Sequence, residues 1–124
     1  MSGLRILVVE DDFILNQTLS EHLLECGFNV ESVYCGAAAF EVIDRGRPLA
    51  ALVSDIDLGP GADGIAVAHR ARGSYPGLPV VFVSATAAAI CASDGVAGSQ
   101  FIAKPFHPRA VSLALGHKIL PQAA

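Results

Sequence analysis

Along the chain, short apolar runs alternate with longer amphipathic stretches, the pattern of a parallel sheet covered by helices on both faces. Residues 4–9 form the first run. Ile6, Leu7, Val8 and Val9 follow one another without polar alternation, as in a strand buried on both faces, and Glu10 ends the run. From 13 to 26, Leu15, Leu19, Leu23 and Leu24 fall at helical spacing, with Asp12 placed to cap the helix start and Gly27 to stop it. Residues 28–33 alternate and predict a second strand. The helix formers of residues 37–44 predict a second helix that stops before Gly46 and Pro48. A third strand is expected over 50–56.

Residues 59–64 have the composition of a loop, and a helix carrying Ile65, Val67, Ala68 and Ala71 follows and ends near Gly73. Residues 79–84 are the most apolar segment and predict a fourth strand near the sheet centre. Residues 85–100 begin alanine-rich and are then broken by Gly95 and Gly98, which predicts a short or poorly ordered fourth helix. Residues 101–103 give a short fifth strand. Residues 108–120 give a last helix with Val111, Leu113, Leu115 and Ile119 apolar. The sum is five β/α units, with no repeat, low-complexity segment or interdomain linker.

With 124 residues, 52% of them hydrophobic, the chain can bury one sizeable core and is too short for two ordinary domains. One domain spanning 1–124 is expected, with no output domain after Leu120. The formal net charge is −4 and no segment concentrates Lys or Arg, which argues against a nucleic-acid surface and for a protein partner. Cys26, Cys35 and Cys91 lie far apart, without CxxC or metal-ligand spacing, and their odd number makes a poor disulfide framework. They fit a reducing compartment. Neither a signal peptide nor a membrane span is visible, so a cytoplasmic protein is expected. His22, His69, His107 and His117 have no metal or triad partner by spacing and read as surface or capping residues.

In a doubly wound sheet the ligand site lies outside the carboxyl ends of the strands, so the strand-end residues carry the chemistry. Here these are Glu10, Asp11 and Asp12 after the first strand, Asp55 on the third, Ser84 on the fourth and Lys104 on the fifth. Carboxylates gathered at one sheet edge repel by about 4 kcal/mol for a pair about 4 Å apart at an effective dielectric near 20, so a cation must offset them. A hard divalent ion such as Mg2+ takes one or two carboxylates and uses the rest of its shell for water and phosphate oxygens. Lys104 can neutralise a phosphate as a point charge, the Ser84 hydroxyl can bond one of its oxygens, and an Asp carboxylate can act as nucleophile to form an acyl phosphate.

Four segments then resemble the signature segments of response-regulator receiver domains, in a chemotaxis-regulator-like, stand-alone form: Ile6-Leu-Val-Val-Glu-Asp-Asp12, Val53-Ser-Asp-Ile-Asp57, Val83-Ser-Ala85 and Ala103-Lys-Pro-Phe106. The spacings of 44 residues from Asp11 to Asp55 and 29 from Asp55 to Ser84 are similar to that family's. The resemblance implies a flavodoxin-like (βα)5 fold with strand order 2-1-3-4-5. It implies Asp55 as phosphoacceptor, Asp11 as a direct ligand of Mg2+ (or Mn2+), Glu10 acting on the ion through water, and the Asp57 backbone carbonyl as a further ligand. Ser84 and Lys104 would sense the phosphoryl group, Phe101 would be the aromatic switch, and Asp57 and Thr86 would tune hydrolysis. A sensor histidine kinase or histidine phosphotransfer protein would supply the phosphoryl group, and a separate downstream protein would read it. The loop from Leu58 to Gly64 and the glycine-bearing, slightly short segment between Ser84 and Lys104 depart from the usual pattern, which implies an atypical output face.

Other readings stand beside this one. The first three acids fit an acidic helix start, Lys104-Pro105 a solvated turn, Ser84 a backbone-satisfying hydroxyl and Phe101 ordinary core. Gly59, Gly61 and Gly64 match a dinucleotide fingerprint in spacing, but they follow the third strand and no acid lies between Gly64 and Asp94, so a turn fits better. Asp55 and Asp57 also resemble the Asp-x-Asp pair of haloacid-dehalogenase-type phosphatases, which normally ends the first strand of a longer chain. A receiver-like module that binds partners without being phosphorylated is a third possibility.

Overall fold

The computed structural model describes residues 3–86 and 96–116. In chain order the elements are β1 (Arg5–Val9), α1 (Phe13–Glu25), β2 (Asn29–Val33), α2 (Gly36–Asp44), β3 (Ala51–Asp55), α3 (Gly64–Ser74), β4 (Val80–Ser84), β5 (Gln100–Ala103) and α4 (Pro108–Gly116). The strands form one parallel sheet in the order β2-β1-β3-β4-β5, so the chain adopts the doubly wound sheet that its pattern predicts, in the flavodoxin-like strand order that the resemblance implies. Of the segment 85–100 expected to hold a short fourth helix, residues 87–95 lie outside the described residues, as do His117, Ile119 and Leu120, and the described residues on either side are not helical.

Alternate side chains of the inner strands feed two cores. Ile6 and Val8 of β1, Ala51 and Val53 of β3, and Val81 and Val83 of β4 pack with Leu19 and Leu23 of α1 and Val111 and Leu115 of α4. Leu7, Val9, Leu52, Val80 and Phe82 point the other way, toward Ala39, Val42 and Ile43 of α2 and Val67, Ala68 and Ala71 of α3. Burial on both faces is what removes polar alternation from these strands.

The element ends differ from the sequence expectation by a residue or so, for identifiable reasons. Phe28 is buried, but its amide N–H bonds the Leu23 carbonyl and closes the end of α1 instead of entering the sheet. Leu24 and Leu113, expected on apolar helix faces, are 54% and 58% exposed, because they sit just off the stripes that Leu19, Leu23, Val111 and Leu115 turn inward. Asp12 caps α1 as expected, its Oδ1 accepting from the Leu15 N–H at 3.1 Å.

Candidate functional site

Strand register assembles the site. Val9 of β1 lies opposite Ser54 of β3, so the next residues, Glu10 and Asp55, stand side by side at the carboxyl edge. Ser84 of β4 lies opposite Ala103 of β5, which delivers Lys104 to the same edge. The carboxylate oxygens of Glu10, Asp11 and Asp55 come within 4.8 Å of one another, with Glu10 and Asp55 buried and Asp11 exposed.

Lys104 Nζ reaches across this group, 2.6 Å from Asp55 Oδ2 and 2.9 Å from Glu10 Oε1. Asp55 Oδ1 accepts from the Asp57 N–H at 2.9 Å, and Glu10 Oε2 accepts from the Asp12 N–H at 3.0 Å. Glu10 Oε1 is buried, and among the described residues its one polar partner is the Lys104 ammonium, an ion pair at 2.9 Å. Desolvation pushes the Glu10 carboxyl up to about 7. The Asp12 N–H and Lys104 pull it back only partly, and the charge of Asp55 adds to the rise. For Lys104, burial works against the charged form, but the bonds to Asp55 and Glu10 outweigh it and hold the ammonium above its ordinary value.

Ser84 is buried at the end of β4, where its Oγ accepts from the Thr86 N–H at 3.2 Å and lies 3.3 Å from Thr86 Oγ1. Phe101 on β5 is half-buried and packs against the core beneath α2 and α3. The acids, Lys104, Ser84 and Thr86 thus gather at one edge. Two further residues of the site carried no sequence signal. Asn16 of α1 is fully buried and donates from Nδ2 to the Glu10 and Val33 carbonyls, both at 3.0 Å. Gly64, read only as part of a turn, starts α3 flush against β3, and a Cβ there would overlap the Asp55 carbonyl oxygen. Gly59 and Gly61 do form the turn, with φ of 77° and 96°.

A groove of about 470 Å³ opens beside Lys104, walled by Ile14, Leu15 and Thr18 of α1 and by Ala85, Pro105 and Phe106. Among the described residues no helix is long and apolar enough to cross a membrane.

A buried acid paired with a half-buried lysine at the carboxyl edge of a five-stranded doubly wound sheet defines a receiver-type α/β protein. The chain belongs to the response regulator receiver domain family, which matches residues 6–115. It is 35% identical over 107 residues to the response regulator receiver protein CpdR of Brucella abortus, covering 85% of this chain and 88% of that one. Three further relatives, two response regulators and a transcriptional regulatory protein, are longer, and the chain spans 23% to 50% of their length. A crystal structure of a response regulator receiver protein from Sinorhizobium medicae superposes with a TM-score of 0.87 at 34% identity over 93% of both chains. The chemotaxis protein CheY4 of Vibrio cholerae shares the fold with a TM-score of 0.83 at 20% identity, covering 95% of this chain and all of that one. The protein is therefore a phosphorylatable receiver of two-component signalling. The phosphatase and non-phosphorylated alternatives are not favoured.

Proposed function

We propose that Asp55 is the phosphoacceptor, and that the chain takes a phosphoryl group from a histidine kinase or histidine phosphotransfer protein and passes the signal on by protein contact in the cytoplasm. The observation that carries this is the pairing of the buried Asp55 carboxylate with Lys104 at 2.6 Å, beside two further carboxylates. A carboxylate oxygen of Asp55 forms the new O–P bond while the bond from phosphorus to the donor's imidazole nitrogen breaks, and the electron pair leaves with the imidazole. Lys104 balances the charge that arrives on the phosphoryl oxygens. The single domain of residues 1–124 suffices for this chemistry.

The donor set suits a hard cation: the three carboxylates supply only oxygen, and their ligand atoms lie within 4.8 Å of one another. Asp11 and Asp55 would hold Mg2+ (or Mn2+), with Glu10 acting through water and the Asp57 carbonyl adding an oxygen. Such an ion, when bound, offsets the mutual repulsion of the acids and draws charge from the phosphoryl oxygens. The Ser84 hydroxyl, held among the described residues by Thr86, would turn toward a phosphoryl oxygen, and Phe101, which pairs with Phe82 two residues earlier on β4, is the side chain that would follow. Asp57 and Thr86 flank the acyl phosphate and would set the access of water to it.

The test is intact mass after incubation with acetyl phosphate, with and without Mg2+. A Mg2+-dependent gain of one phosphate in the wild type, absent in Asp55→Asn, is expected. No gain in the wild type, or an equal gain in the variant, would remove the assignment of Asp55.

A further inference from the structure

A second group of ligand-type atoms converges where α1 meets α4. His22, in the last turn of α1, and Cys26, its C-cap residue, are four apart and share one helix face. His22 Nε2 lies 3.6 Å from Cys26 Sγ and 2.9 Å from Ser112 Oγ of α4. Ser112 Oγ also lies 3.1 Å from the Arg109 carbonyl, to which it donates, and with that proton so placed its lone pair would accept from Nε2 in the tautomer protonated there. Cys26 is exposed and in no disulfide, while His22 is half-buried. The cluster lies roughly 15 Å along α1 from the capping Asp12, at the helix end remote from Asp55.

We propose that His22 and Cys26 form an open two-ligand site for a borderline-soft divalent cation, with Zn2+ as the natural fit. Zinc takes sulfur at about 2.3 Å and imidazole nitrogen at about 2.0–2.1 Å, so the N–S edge of a tetrahedral site is about 3.6 Å. The two atoms already stand at that separation, 3.6 Å. The carbonyl end of α1 favours positive charge at this place. Binding releases the thiol proton and leaves the imidazole proton on Nδ1, so Nε2 gives its lone pair to the metal and gives up Ser112. Water completes the shell. The polar link between α1 and α4 is thereby exchanged for a metal contact confined to α1, which makes the site a means of loosening α4 without touching the phosphoryl chemistry. Four-residue His/Cys spacing on a helix is the sequence signal that could have identified it.

The probe is Co2+, added in excess Mg2+ to a Cys35→Ser, Cys91→Ser protein so that Cys26 is its one thiol. We expect a thiolate-to-cobalt charge-transfer absorption that saturates at one equivalent and is displaced by Zn2+. In that background Cys26→Ser abolishes the band and His22→Gln weakens binding by about tenfold or more. Labelling of each variant by acetyl phosphate shows that it is folded. Absence of the band in the parent protein, or binding that His22→Gln leaves unchanged, overturns the proposal.

Discussion

Asn16 occupies a helical position where an apolar residue would ordinarily face the sheet, and its amide instead closes off two backbone carbonyls, those of Glu10 and Val33. Its Oδ1 in turn receives the Ser20 hydroxyl at 3.2 Å, so the whole amide is satisfied inside the protein. Asn16→Ala leaves these buried groups unpaired and is expected to cost about 1–3 kcal/mol in urea unfolding. It is also expected to slow acetyl phosphate labelling, because the segment carrying Glu10 and Asp11 loses its anchor. Unchanged labelling would show that the anchor serves stability alone. Gly64→Ala acts from the other side. The added methyl would meet the backbone of Asp55 and Ile56, which cannot swing aside as a side chain would, so a loss of about 1–3 kcal/mol is expected, together with slower labelling. Glu10, Asp55, Ser84 and Lys104 were legible in the sequence because each closes a recognisable apolar run. Asn16 was not, since a lone polar residue inside a helix has no periodicity to betray what it holds.

At the scale of elements, α1 shows how a pattern both informs and misleads. Leu23 and Leu24 are adjacent and equally apolar, so periodicity alone placed both on the inner stripe, yet the first is fully buried and the second 54% exposed. Only packing against β1 and α4 fixes the rotation of the helix. Leu23→Ala is therefore expected to cost about 2–5 kcal/mol, and Leu24→Ala less than about 0.5 kcal/mol, in equilibrium urea denaturation. Similar losses for the two would mean that α1 sits rotated from the position described here. Strand identities were easier to read than strand ends. An unbroken apolar run announces burial on both faces, whereas the last ladder residue depends on which N–H is used elsewhere, as at Phe28. Strand order is not encoded in the pattern at all and came from the resemblance.

At the scale of the molecule, the site links protonation, metal and stability. Burial raises the Glu10 carboxyl from its ordinary 4.5 to about 7, so between these values the folded protein holds a proton that the unfolded chain has lost. Stability without metal should thus fall as pH rises from about 4.5 to about 7, by on the order of 3 kcal/mol at most from this residue. The comparison that isolates Glu10 is the difference between wild type and Glu10→Gln, in which the contributions of all other groups cancel. Mg2+ requires the carboxylate and should reverse the trend. Its binding expels the Glu10 proton below about pH 7 and tightens as pH rises, adding about 2.7 kcal/mol of stability at a hundredfold excess over its dissociation constant. Urea midpoints across this pH window, with and without Mg2+, read both effects at once. The wild-type curve should slope downward without Mg2+ and upward with it, and the Glu10→Gln curve should lack the Glu10 contribution to both slopes. Parallel curves for wild type and variant would mean that Glu10 is ionised throughout, with Lys104 compensating its burial by itself.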